Sequence, residues 1–152
     1  MTTPAALERY RFDVVEVPID LGEVLAQAAD PAWGARASFV GSVRSPNRGA
    51  TVHHIDYEGY RAMMLAEMRR LADEVAARHA LGRCVIVHRL GRLRPGEVSL
   101  AVVVASPHRP DALQACEALV EGLKARLPVW KYEVDDAGGT FVAGRSDAGP
   151  TL

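Results

Sequence analysis

The sequence predicts an α+β fold built on a mainly antiparallel sheet and three helices. Three observations carry this. The apolar periodicity runs strand, helix, two strands, helix, two strands, helix, then short strands. Residues 35–57 and 83–105 each read as a pair of strands across a turn-rich break, the pattern of hairpins. A chain of 152 residues also suits one domain around a single core, with 1–8 and 145–152 as flexible tails.

Residues 11–18 (RFDVVEVP) form the first strand, with Phe12, Val14 and Val15 at its apolar positions. Asp20 is placed to cap a short helix over 21–29, where Leu21, Val24, Leu25 and Ala28 share a face. The next strand, 35–44, runs into Ser45-Pro46-Asn47-Arg48-Gly49, a loop longer than a tight hairpin needs and expected to be a mobile flap. Residues 51–57 are then expected to pair back on 35–44. The longest helix follows over 60–80, with Tyr60, Met64, Met68, Leu71 and Val75 as its stripe, a Glu74–Arg78 pair, and Gly82 as its stop.

Residues 83–90 (RCVIVHRL) and 98–105 are strands on either side of an Arg94-Pro95-Gly96-Glu97 turn. After Ser106-Pro107 a third helix carries Ala112, Cys116, Leu119, Val120, Leu123 and Leu127 on one stripe and stops at Pro128. Val129-Trp130-Lys131 and residues 140–143 close the chain as short strands.

Composition narrows the function. Net charge is −1 and the sequence pI about 6.5, so bulk electrostatics favour neither nucleic acid nor an anionic membrane, and any anion site must be local. No apolar run approaches the ~20 residues of a membrane span, and MTTPAALERYRF lacks a signal-peptide core, so a cytoplasmic location is expected. Cys84 and Cys116 show no CxxC pairing and read as reduced core residues. No cluster has metal-ligand spacing and no GxSxG, Walker or GxGxxG pattern occurs, so neither metal nor cofactor is expected. The chain offers no obvious activated nucleophile of its own.

What it does offer is a set of cations on one strand–helix–strand unit. His108 and Arg109 stand at a helix mouth, where free backbone N–H groups and the dipole favour anions. Arg109 adds a planar fork suited to phosphate. Both also fit as plain solvent-facing loop residues. Lys124 borders the apolar stripe, where a half-buried ammonium would lose some affinity for protons and act as a general acid or base; a lysine snorkelling near the helix end is the simpler alternative. Lys131 alternates against Trp130 and Tyr132. Arg44 ends the strand that carries Phe39 and Gly41, facing either a ligand or solvent.

Five short motifs in series resemble the large, catalytic subunit of molybdopterin synthase. They are Phe39-Val40-Gly41-x-Val43-Arg44 with Asn47 and Gly49; Tyr57-Glu58-Gly59-Tyr60 with Met63-Met64; His88-Arg89-x-Gly91-x-Leu93-x-Pro95-Gly96-Glu97; Ser106-Pro107-His108-Arg109; and Leu123-Lys124-x-Arg126-x-Pro128-x-Trp130-Lys131-x-Glu133. Together they cover about residues 10–147. Tyr132 departs from the pattern, standing where a second basic residue is common.

The resemblance implies an α/β-hammerhead fold and a homodimer that binds a small ubiquitin-like sulfur carrier at each end, as a heterotetramer. The apolar-rich strands at 83–90 and 98–105 also suggest a dimer. It implies sulfur transfer from the carrier's C-terminal Gly-Gly thiocarboxylate to cyclic pyranopterin monophosphate (precursor Z). Lys124 is then the acid/base near the carrier terminus and Lys131 stabilises developing negative charge. Arg44, His108 and Arg109 bind the substrate phosphate, the last two reaching across the dimer; Phe39 lines the pocket and Arg145 is a further candidate. The rival class is a non-catalytic module that binds a phosphorylated small molecule through His108 and Arg109 and has no need of both lysines.

Overall fold

The computed structural model describes residues 9–142, the side chains of 140–142 excepted. The strands form two four-stranded sheets where the sequence suggested one. In the first, β1 (Tyr10–Val15), β4 (Arg83–Arg89), β6 (Val98–Ser106) and β2 (Ala35–Ser42) lie side by side in that order. Only the β1–β4 pair is parallel. The second sheet orders β5 (Gly91–Leu93), β3 (Val52–Gly59), β7 (Val129–Asp135) and β8 (Gly138–Val142), all antiparallel.

The hairpin expected over 35–57 does not form, because β2 pairs with β6 while β3 pairs with β5 and β7. A register shift between Gly41 and Ser42 turns the end of β2 aside. Val43 then buries itself, donating its amide to the Glu97 carbonyl at 3.0 Å and accepting from the Gly96 amide at 2.8 Å. Residues 43–51 thus carry the chain from one sheet to the other. The second expected hairpin exists, since β4 and β6 pair from Arg83 to His88, although the chain between them detours into the second sheet as β5.

Strands β4 and β6 are apolar on both faces because they are central and covered twice. On one face α1 (Leu21–Gln27) sets Val24 against Val85, Val87, Ala101 and Val103. On the other, α2 (Arg61–Ala76) and α3 (Arg109–Arg126) bring Met64, Met68, Leu119 and Leu123 into one cluster with Ile86, Val102 and Val104. Their composition is therefore no sign of a dimer interface. The same cluster includes Val52, Ile55, Tyr57 and Leu93 of the second sheet, so one core serves both.

The helices follow the sequence with instructive exceptions. Asp20 caps α1 by accepting the Glu23 amide at 3.1 Å. Tyr60 is the N-cap of α2 and 69% exposed, outside the stripe. That helix ends at Ala76, well before Gly82; the glycine is needed instead because a Cβ there would overlap the Trp33 indole. Glu74 pairs not with Arg78 but with Arg126 of α3, through bonds of 2.6 and 3.1 Å. Arg126 also reaches the buried Glu67 at 2.8 Å, which Arg70 holds at the same distance from the other side. This network fixes the C-terminal turn of α3, the turn that also carries Lys124.

Candidate active site

Antiparallel register decides what faces what on the second sheet. Tyr57 opposes Lys131 and Ile55 opposes Glu133, so these four side chains share the face turned toward the core, while Trp130 and Tyr132 point away. The Lys131 ammonium stands 5.9 Å from the Tyr57 ring centroid. Below it the His88 ring meets Tyr57 edge-on, with centroids 5.6 Å apart. The His88 Nδ1 lies 2.9 Å from the Arg89 carbonyl, which can only accept, so this nitrogen carries the proton and Nε2 the lone pair. Burial pushes the imidazole down to about 4, and the Lys131 ammonium adds to the shift. Burial likewise raises the Tyr57 phenol, with the Glu133 carboxylate contributing and a Ser99 hydrogen bond opposing.

Ser99 stands on β6 of the first sheet, where its hydroxyl donates to the Gly41 carbonyl of β2 at 3.3 Å, and its hydrogen bond with Tyr57 joins the two sheets. Gly41 lies close against the Phe39 ring and Leu100, so a Cβ would stand 3.2 Å from the ring. Over that ring, 5.6 Å from its centroid, is the Lys124 ammonium of α3. Phe39, Gly41, Ser99, His88 and Tyr57 thus make a continuous floor, with a lysine above the aromatic ring at each end. Lys124 is exposed, not half-buried as its place on the stripe suggested, because β2 is an edge strand and leaves that side of α3 uncovered.

The loop expected to be a mobile flap is a hydrogen-bonded turn. Asn47 and Ala50 exchange backbone bonds of 2.9 and 3.0 Å, and Arg48 and Gly49 both adopt positive φ (51° and 78°), as a two-residue hairpin turn requires. The Val52 amide donates to Ser45 Oγ at 3.0 Å. From this turn the Asn47 side chain accepts Arg44 Nη2 at 3.1 Å and donates to both Glu133 oxygens at 3.2 Å. Arg44 is thereby held toward the strand of Lys131.

His108 and Arg109 are elsewhere. They are exposed at the N-terminus of α3, His108 as N-cap and Pro110 in the first turn. Lys124 lies fifteen residues further along the same helix, about 22 Å at ~1.5 Å per residue. One chain therefore unites Arg44, Phe39, Lys124 and Lys131 but not the helix-mouth pair. Arg145 falls outside the described residues. An open groove of about 310 Å³ runs between β2 and α3, lined by Ala37, Phe39, Leu113, Cys116, Val120 and Glu121 among others. A larger one, about 400 Å³, lies between β1 and α1, remote from both lysines. Among the described residues no group of three or more His, Cys, Asp or Glu side chains could hold a metal, and no helix is long and apolar enough to cross a membrane.

The family model for MoaE protein matches residues 14–126, which include every motif up to Lys124. The chain belongs to the MoaE family. The molybdopterin synthase catalytic subunit of Pyrococcus abyssi is 36% identical over 138 residues, covering 90% of this chain and 93% of that one. Two solved MoaE-family structures superpose closely. The Staphylococcus aureus molybdopterin synthase chain has a TM-score of 0.82 at 29% identity, covering 87% of this chain and 96% of its own. The Burkholderia ambifaria MoaE protein has a TM-score of 0.80 at 31% identity, covering 92% and 93%. As a MoaE protein the chain is an enzyme of molybdenum-cofactor biosynthesis, a sulfurtransferase.

The MoaE reading gives weight to residues that sequence reasoning had placed in motifs without a role. Tyr57 and His88 form the floor together with Ser99, which lies in none of the motifs, and Asn47 hydrogen-bonds both Arg44 and Glu133. Asn47 and Glu133 both stand in the family-like motifs, and strand alternation from Lys131 adds a second signal for Glu133; neither signal shows that the two side chains meet.

Proposed function

We propose that the chain is the large subunit of molybdopterin synthase. It transfers sulfur from the C-terminal thiocarboxylate of a small ubiquitin-like carrier to cyclic pyranopterin monophosphate, forming the dithiolene of molybdopterin. The observation that carries this is the pairing of two lysines over one ring-lined floor with two cysteines that cannot donate sulfur. Cys84 and Cys116 are free and buried, and burial pushes both thiols up, Cys116 to about 11. The sulfur must therefore be brought in, which fits a family whose curated members are named as one subunit of a synthase.

Lys124 acts as the acid or base at the carrier terminus, and Lys131 stabilises negative charge as it develops. Arg44 binds the substrate phosphate. His108 and Arg109 complete that subsite from a second copy, since about 22 Å of helix separates them from their own Lys124. The exposed side of α3 supports this arrangement. An antiparallel pairing of two such helices about a twofold axis near residues 116 and 117 would put Leu113 (61% exposed) at the contact and bring Arg109 of one copy beside Lys124 of the other. Carriers at both ends of that dimer make a heterotetramer.

The test is to incubate the chain with precursor Z and carrier of verified thiocarboxylation. Molybdopterin should appear, measured as its fluorescent oxidised derivative. Substrate binding without product would instead favour a non-catalytic phosphate-binding module.

A further inference from the structure

We infer that Asn47 and Glu133 are positioning residues that hold the Arg44 guanidinium over the site through a side-chain relay anchored on the strand of Lys131. Arg44 sits on the segment that crosses between the sheets, beyond the end of β2, where no ladder fixes it. Its Nη2 donates to Asn47 Oδ1 at 3.1 Å, and the Asn47 amide nitrogen lies 3.2 Å from each oxygen of Glu133. An amide is the side chain that can do this, accepting from a cation with its oxygen while donating to an anion with its nitrogen.

The two ends of the relay are themselves fixed. Asn47 is locked by its backbone exchange with Ala50 across a turn whose Arg48 and Gly49 take positive φ. Glu133 opposes Ile55 on the β3–β7 ladder, two residues from Lys131 and on the same face. The Glu133 carboxylate therefore does two things: it anchors the crossing segment and places a negative charge near two cations. With Arg44 and Lys131 both aimed at an anionic substrate, such a counter-charge limits their mutual repulsion while the site is empty. The geometry stands on its own; its catalytic meaning rests on the synthase reading.

Two measurements test it. Side-chain NMR of the Arg44 guanidinium should show an ordered Nε–H in the native chain and a mobile one in both Asn47→Ala and Glu133→Ala. The second is the telling case, because Glu133 makes no direct bond to Arg44 among the contacts above. Thermal midpoints are recorded alongside to confirm folding. In single-turnover assays with precursor Z and carrier, Arg44→Ala and Asn47→Ala should each weaken substrate affinity about tenfold, and the double variant should be no worse than Arg44→Ala alone. Equal Arg44 order in all folded variants, or losses that simply multiply in the double variant, would overturn the relay. A native chain without turnover would sink the synthase reading, with the NMR arm still deciding the relay.

Discussion

The Lys124 ammonium lies 5.6 Å from the centroid of the Phe39 ring, a helix cation set over a strand aromatic. A ring face orients an ammonium without binding its protons in strong hydrogen bonds, at about 0.5–1 kcal/mol for an exposed pair. Lys124 thus keeps donors available to a ligand. Lys124→Ala should lower turnover by roughly 10²–10⁴-fold with a smaller effect on binding. Lys124→Arg should not rescue it, because guanidinium stays protonated at neutral pH. Single-turnover kinetics on folded, carrier-competent variants decide this; near-normal turnover in Lys124→Arg would reduce Lys124 to a positive charge.

Arg109 and Lys124 are too far apart in one chain to share a substrate, which makes subunit mixing informative. Arg109→Ala alone should weaken substrate binding about tenfold to hundredfold, the worth of a charge-assisted hydrogen bond. Arg109→Ala and Lys124→Ala homodimers, unfolded and refolded together, should recover about a quarter of native activity, because mixed dimers rebuild one intact shared site. Light scattering should give about twice the 16.4 kDa chain mass. A monomer, or no recovery on mixing, contradicts the shared site.

The Arg126 network should dominate the local stability of α3. Removing the guanidinium leaves Glu67, 9% exposed, with only Arg70 as partner. Arg126→Ala should cost about 1 kcal/mol, discounted because the guanidinium is partly exposed and Glu67 keeps Arg70, and lower the thermal midpoint by a few degrees. Replacing Arg126 and Glu67 together with Met should restore most of it, since no half-paired buried carboxylate is then left. Calorimetry on the three variants checks the sign.

His88 predicts a pH dependence of stability. Its imidazole titrates near 4 when folded, against 6.5 in the open chain, so the unfolded state binds the extra proton between those values. The contribution is intact above pH 6.5 and lost as pH falls toward 4, a total of about 3 kcal/mol. Urea unfolding from pH 7 to 4 should be shallower in pH for His88→Asn than for the native chain, by up to one proton. Parallel curves would mean that His88 is not held neutral.

Much of this was legible because burial writes itself into periodicity. The Met64–Val75 and Ala112–Leu127 stripes, the cap at Asp20 and the stop at Pro128 all carried through. The split into two sheets did not, since β2 and β3 each alternate as any strand does, and only the bulge at Gly41 and the burial of Val43 send them apart. Three-residue β5 is too short to show a period. At the site, residue types were readable while partners were not. Nothing in sequence links Asn47 to Glu133, 86 positions away, or warns that Glu74 prefers Arg126 to the nearer Arg78.

The Trp33 indole that makes Gly82 obligatory has an optical consequence. Trp33 packs with the α1 side of the first sheet, and Trp130, the other tryptophan of the chain, opens β7 in the second, its ring edge-on to Tyr60 at 6.3 Å. Each sheet therefore has one tryptophan, Trp33 packed against the first and Trp130 within the second. Single-tryptophan chains made by Trp33→Phe or Trp130→Phe report on one sheet apiece, and a core shared by both sheets requires the two emission signals to fade at the same denaturant concentration.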